Sequence, residues 1–329
     1  MDKNNKINKK ITLEEYKNTY NTKFEDSNTL KSFLTMFTAV IGVLIFACLF
    51  FIVLRMLEIN KIFGICGAII SIIVYIFVYI LPVKNIRKYK YFITNVNDMS
   101  VKEAQKYNKQ LREDIADKMI DFTVRTKDVQ WYSKEKIGEL AIARQTKNDD
   151  DLKRILSNIY NEDVKNSFNK IVSNYALKIG LGTTVSQVRE LDTAIVGLSE
   201  LNMIKEIIIL YGYRPSDAKL MKIYKSVITN SLIAYGSETL ASNVATGFIT
   251  KIGVKTPIVG TIFSSVSQGI INSTLTVIIA NQTKKYLKEE YHLQDLLDNV
   301  EIEDDKETEK KMINEINEEI SGMKKQKYA

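Results

Sequence analysis

Phe33 to Leu54 reads FLTMFTAVIGVLIFACLFFIVL, and Ile62 to Val83 reads IFGICGAIISIIVYIFVYILPV. Each run has 22 residues and no charged side chain. At about 1.5 Å per residue a helix of that length reaches about 33 Å, enough to cross a hydrocarbon core of about 30 Å. Only Arg55 to Lys61 separates the two runs, a connection that carries Arg55, Glu58 and Lys61 and is too short for a domain. The pattern predicts a two-helix transmembrane hairpin over residues 33–83. A signal peptide is the competing interpretation. The first run starts too deep in the chain and is too long for that, and a second run follows at once.

Basic residues near the ends of the spans set the orientation. Lys17, Lys23 and Lys31 precede the first run; Lys84, Arg87, Lys88 and Lys90 follow the second. The connection has only Arg55 and Lys61. Both termini are therefore expected in the cytoplasm, with the short loop outside. Tyr75 and Tyr79, then Tyr89, Tyr91 and Phe92, suit the inner interface. The spans lack Asp, Glu, Lys, Arg and His. Ion and proton routes usually need such groups at membrane depth, so the hairpin reads as an anchor. Gly64 with Ala68 and Gly67 with Ser71 are small pairs at helical spacing that let a helix approach closely, within the hairpin or between copies in a homo-oligomer. Cys48 and Cys66 fall at similar depth near the outer end and read as packed thiols.

Outward from the hairpin, composition narrows the chemistry. The chain has 329 residues, with 45% apolar and 26% charged, 3 Pro and 14 Gly. So few breakers point to long helices and to an all-α fold. A single histidine, His292, and two cysteines cannot build a His/Cys zinc site or a disulfide scaffold. A nucleophile–histidine pair would have to use His292, which stands in a charged stretch without a nucleophile motif. No catalytic residue, cofactor or metal ligand is assigned. Gly247 to Thr256 reads GFITKIGVKT, one residue too long for a phosphate-cradling loop, with Val254 between Gly253 and Lys255 and no strand before it.

Five regions follow: a cytoplasmic arm (1–32), the hairpin (33–83), a basic juxtamembrane helical region (84–162), a helical domain (163–292) and an acidic tail (293–329). The net charge is +7, and Lys84 to Asn148 alone holds 15 Lys or Arg against 9 Asp or Glu. Nearly all the excess adjoins the inner leaflet, where Lys84, Arg87, Lys88 and Lys90 can meet anionic headgroups. The bland reading is a topology signal and solvated helix faces. Interspersed acids argue against nucleic acid.

Helical spacing recurs through Ala104, Tyr107, Leu111, Ile115, Met119 and Phe122, then from Ser133 through Ile137 and Leu140, then after Asp149 through Ile155, Leu156 and Ile159. Val164 to Ile179 gives a further amphipathic helix, with Gly180-Leu181-Gly182 as its expected stop. Leu191 to Tyr211 reads as a buried helix closed by Gly212 in the left-handed C-cap position. Ser216 caps the next. Thr256 to Thr283 has 28 uncharged residues, 13 of them Ser, Thr, Asn or Gln. That is polar for a lipid-facing span, and the preferred reading is the central buried helix of a bundle. In the tail, Met312, Ile316, Ile320 and Met323 share one helical face; a solvated, partly ordered segment is the default expectation.

Leu210-Tyr211-Gly212, the turn with Pro215-Ser216, and Thr256-Pro257-Ile258-Val259-Gly260 opening a small-residue helix resemble the YcjF-like family. These are two-span bacterial inner-membrane proteins of unknown molecular function, and their helical domain also occurs with small GTPase-like proteins. Tyr211, Gly212, Pro257 and Gly260 carry the likeness, which extends over the hairpin and roughly residues 165 to 291. The resemblance implies a multi-pass protein of the bacterial inner membrane with a GTPase-like partner. The expected function is a non-enzymatic membrane adaptor presenting a cytoplasmic helical bundle. The alternative is an oligomeric two-span pore or permeability effector, motivated by the small pairs in the second span.

Overall fold

A computed structural model describes residues 28–91, 101–126, 129–185, 189–234, 265–295 and 306–327. Within them every regular element is helical. Pro257, Gly260 and the Gly247–Thr256 segment lie outside the described residues, as does nearly all of the predicted cytoplasmic arm.

The first apolar run lies in α1 (Asn28–Ile59), and α2 (Lys61–Tyr75) begins after a single residue. The predicted seven-residue connection is thus almost wholly helical. Asn60 makes the short turn. Its backbone is extended, and its side-chain oxygen accepts the Ile62 N–H at 2.8 Å, satisfying one of the orphan donors of a helix start. Leu34–Ile59 is long and apolar enough to cross a membrane, with mean hydropathy 3.0. α2 alone is shorter. The helical path continues through a π turn (Ile76–Ile80) into α3 (Leu81–Lys88). Pro82 lies in the first turn of α3, where its missing N–H is tolerated. Just before it the ladder widens, with Leu81 N–H bonding Ile76 O. Composition alone did not reveal this interruption of the second run.

The two apolar helices pack antiparallel. A Cβ on Gly64 would stand 2.1 Å from Leu57 Cδ2, and one on Gly67 would stand 2.7 Å from Met56 Sδ. At the other end Gly42 lies against the Tyr79 ring, whose hydroxyl donates to Thr38 O at 2.5 Å. Among the described residues, the exposed large apolar side chains fall between Met36 and Leu81, except Val124, Val129, Ile142 and Leu191.

The opposite face of α1 is covered by protein. Leu34, Thr38, Ile41, Ile45 and Cys48 are buried, and α1 packs on α8 (Arg189–Tyr211) and α9 (Asp217–Ala234). With α7 (Lys165–Val185) and α10 (Ser265–Asp295), these form the main bundle. α1 is therefore docked along the bundle and does not merely tether it, and α2 packs on α1.

α10 is the bundle's central element. Residues 271–277 are all buried, and Ala280, Thr283 and Leu287 continue the buried path. Hydroxyls turn back on its own backbone: Thr276 donates to Asn272 O and Thr283 to Ile279 O, both at 2.8 Å. Part of the polar composition that argued against a lipid-facing span is absorbed in this way, while the Asn272 amide and Thr274 Oγ1 are buried without a hydrogen-bond partner. α4 (Val101–Arg125), α5 (Lys134–Gln145) and α6 (Asp149–Ile159) form a smaller group, and a second π turn (Tyr160–Val164) joins α6 to α7. Asn148 caps α6 by accepting the Asp151 N–H.

Two expectations are corrected. The chain does not stop at Gly180-Leu181-Gly182, because α7 runs on to Val185. A Cβ on Gly180 would come 2.3 Å from Ile320 Cδ1 and 3.2 Å from Ser273 Cβ. Glycine here permits three helices to meet and does not end one. Nor is the C-terminal segment mainly solvated. It forms α11 (Lys306–Lys327), whose Met312, Ile313, Ile316 and Ile320 are buried against α7 and α10.

Candidate functional site

Two constructions stand out. The first is the end of α8, where the segment after the apolar helices meets the bundle. The last carbonyls of a helix have no partners within it and must find donors elsewhere. Tyrosines supply them: Tyr132 donates to Leu210 O and Tyr160 to Tyr211 O, each at 2.7 Å. The rings of Tyr160, Tyr211 and Tyr213 pack together, with Tyr160 stacked on Tyr211 at 5.7 Å and Tyr213 edge-on to both. Gly212 has φ +76°, and its N–H reaches Ile208 O at 3.0 Å. This is the left-handed C-cap read from the sequence. Lys118 donates to Gly212 O at 3.4 Å and lies over the Tyr89 ring.

Arg214 clasps the same junction. Its backbone N–H donates to Lys90 O at 3.0 Å, its Nε donates to Tyr89 O at 2.9 Å, and it pairs with Asp217 at 2.7 Å. Its guanidinium also lies over Tyr91. A planar, multidentate cation suits this task of holding a chain crossing. Of the basic residues assigned to headgroups, Arg87 donates to Thr38 Oγ1 at 2.8 Å and Lys90 pairs with Asp114 at 2.7 Å. Lys84 and Lys88 are exposed. Gly64 and Gly67 face α1, whereas Ala68 and Ser71 are half-buried.

The second construction escaped sequence reasoning. Glu200 lies in the middle of α8 with no exposed surface. Its Oε1 accepts from Asn230 Nδ2 of α9, and Thr276 Oγ1 of α10 stands 3.1 Å away. Glu200 Oε2 and Asn230 Oδ1 are buried with no hydrogen-bond partner. Burial pushes the Glu200 carboxyl up to about 8, against the opposing pull of the Asn230 and Thr276 hydrogen bonds. One turn earlier on α8, a Cβ on Gly197 would stand 3.0 Å from Ser231 Oγ and 3.8 Å from Ile45 Cγ1 of α1. The carboxyl therefore sits next to the contact between the bundle and the apolar helix. A signal was present in the sequence: Glu200 shares a helical face with Val196, Met203, Ile204 and Ile207, all buried.

Among the described residues no group of three or more His, Cys, Asp or Glu side chains is placed to hold a metal ion. Residues 147–304 match the family model of a domain of unknown function, DUF697. The match takes in α6 to α10, just under half of the chain. Comparisons with curated proteins and with solved structures give no match.

Proposed function

We propose that this chain is a non-enzymatic adaptor of the bacterial inner membrane, anchored by α1, α2 and α3 and presenting its helical domain on the cytoplasmic side to a GTPase-like partner. The observation that carries the anchoring is the set of exposed apolar side chains from Met36 to Leu81 on α1, α2 and α3, with the opposite face of α1 covered by the bundle. An exposed apolar surface of this extent on a soluble protein would invite association, whereas lipid satisfies it. Both termini lie inside in this reading, and Lys84 and Lys88 sit at the level of anionic headgroups. The GTPase-like partner rests on the resemblance to the YcjF-like family; the match to a domain of unknown function is compatible with it.

Recruitment is the mechanism. Confinement to one leaflet raises the effective concentration of the bundle toward any other protein held there. The docked α1 adds a feature a flexible tether lacks: Ile45, midway along the first apolar run, packs at Gly197 of α8, so in this reading that edge of the bundle is held at the depth of the apolar helices and the rest of the bundle is turned to the cytoplasm. The test is affinity capture of the full chain from detergent extracts, with GDP or a slowly hydrolysed GTP analogue present. A GTPase-like protein retained with one nucleotide and lost with the other is expected. Equal recovery of all co-purifying proteins under both conditions would contradict the assignment.

A further inference from the structure

We propose that Glu200 is a proton-binding site: its neutral carboxyl donates Oε2–H to Asn230 Oδ1 while Oε1 accepts Asn230 Nδ2–H, closing a two-bond acid–amide pair between α8 and α9. The Nδ2 to Oε1 bond is half of that ring. The two atoms left over, Glu200 Oε2 and Asn230 Oδ1, are the two that have no partner. Both are oxygens, so as a carboxylate and an amide they offer only lone pairs to each other. One proton on Oε2 turns one of them into a donor and serves both. The neutral acid also removes the cost of a fully buried charge.

Among the described residues, the hydrogen-bond partners of Glu200 are Asn230 and Thr276, and no ion pair reaches it. On α8, Asp192 lies two turns before Glu200, while Lys205 and Glu206 follow it; Lys205 donates to Asn202 and Glu206 accepts from Tyr175 of α7. On α9, Asp217 is held by Arg214, and Tyr224 is buried. On α10, Lys284 lies two turns past Thr276, over the Phe168 ring. Burial is the largest influence on the Glu200 carboxyl, opposed by the Asn230 and Thr276 hydrogen bonds. Loss of the proton to water would leave a buried carboxylate facing Asn230 Oδ1, one turn from where Gly197 meets Ile45. The site thereby couples pH to the packing of α8, α9 and α1.

The sign of the coupling is fixed by linkage. An unfolded glutamate titrates near about 4.3, and the folded one at about 8. Across that window the folded chain holds one more proton than the unfolded chain, so stability falls as pH rises and levels off above the folded value. Glu200→Gln preserves both hydrogen bonds of the pair and cannot ionise. The experiment uses the full chain in detergent, wild type against Glu200→Gln. The wild-type folding equilibrium constant should fall relative to the variant by up to about tenfold per pH unit between about pH 5 and 8, with no further change above. Infrared difference spectra should also show a protonated-carboxyl C=O band at pH 6 that Glu200→Gln removes. A pH-independent ratio of the two stabilities, or no band sensitive to Glu200→Gln, overturns the proposal. Should that variant fail to fold, Asn230→Ala carries the test. The acid band must then persist and shift as its hydrogen bond is lost; an unshifted band overturns the pairing.

Discussion

Ile45→Asp is expected to destabilise the folded chain by about 3 kcal/mol or more, through lost packing and an unpaired buried carboxylate. Val43→Asp, two residues away, is expected to change unfolding in detergent by no more than about 1 kcal/mol. The contrast follows from the two faces of α1. Ile45 has 0% exposure and touches the Gly197 region of α8, whereas Val43 is 67% exposed on the apolar outer surface. In membranes the ranking changes. An aspartate at the centre of a spanning helix costs about 2.5–3.5 kcal/mol of insertion, so Val43→Asp should lower the membrane-retained fraction. Denaturant titration in detergent measures the first effect, and flotation of membranes measures the second. Equal destabilisation by both substitutions would mean that α1 is not docked on one face.

Gly212→Val is the second large effect, with an expected loss of about 2–4 kcal/mol from a left-handed backbone and a crowded site. The φ of +76° is unfavourable for a β-branched residue, and a Cβ there would stand 3.0 Å from Ile115 Cγ2. The substitution also displaces a junction where Tyr132, Tyr160 and Lys118 converge on the carbonyls of residues 210–212. Gly212→Asn should cost less, since asparagine tolerates the left-handed region, though its Cβ still meets Ile115. Thermal unfolding of the three proteins in one detergent gives the order glycine, asparagine, valine. Equal midpoints would contradict the capping role.

The sequence reading succeeded where a local signal had a local cause. Gly212 closes α8 because the helical run Leu191–Tyr211, ending in the apolar Ile207 to Tyr211, is followed by the residue that best adopts positive φ. The face of Leu111, Ile115 and Met119 is buried as its spacing required. Failures came where a residue answered to a distant partner. Gly180 looked like a stop, but its role is set by Ile320, 140 positions along the chain, which nothing in the local pattern encodes. The solvated-tail expectation failed for the same reason, since the apolar face of α11 is completed by α7 and α10. Glu200 stands on the buried face of α8, but a lone acid there has no local pattern to mark it; its burial becomes meaningful only with Asn230 and Thr276 beside it. The π turn before Pro82 was also missed, because composition reports apolarity and not the hydrogen-bond ladder.

Alkaline carbonate extraction of membranes carrying the full chain, followed by flotation, most directly tests whether the apolar surface of α1 to α3 lies in lipid. Chain that floats with the bilayer after the wash is the predicted result; chain released to the aqueous fraction would contradict the account.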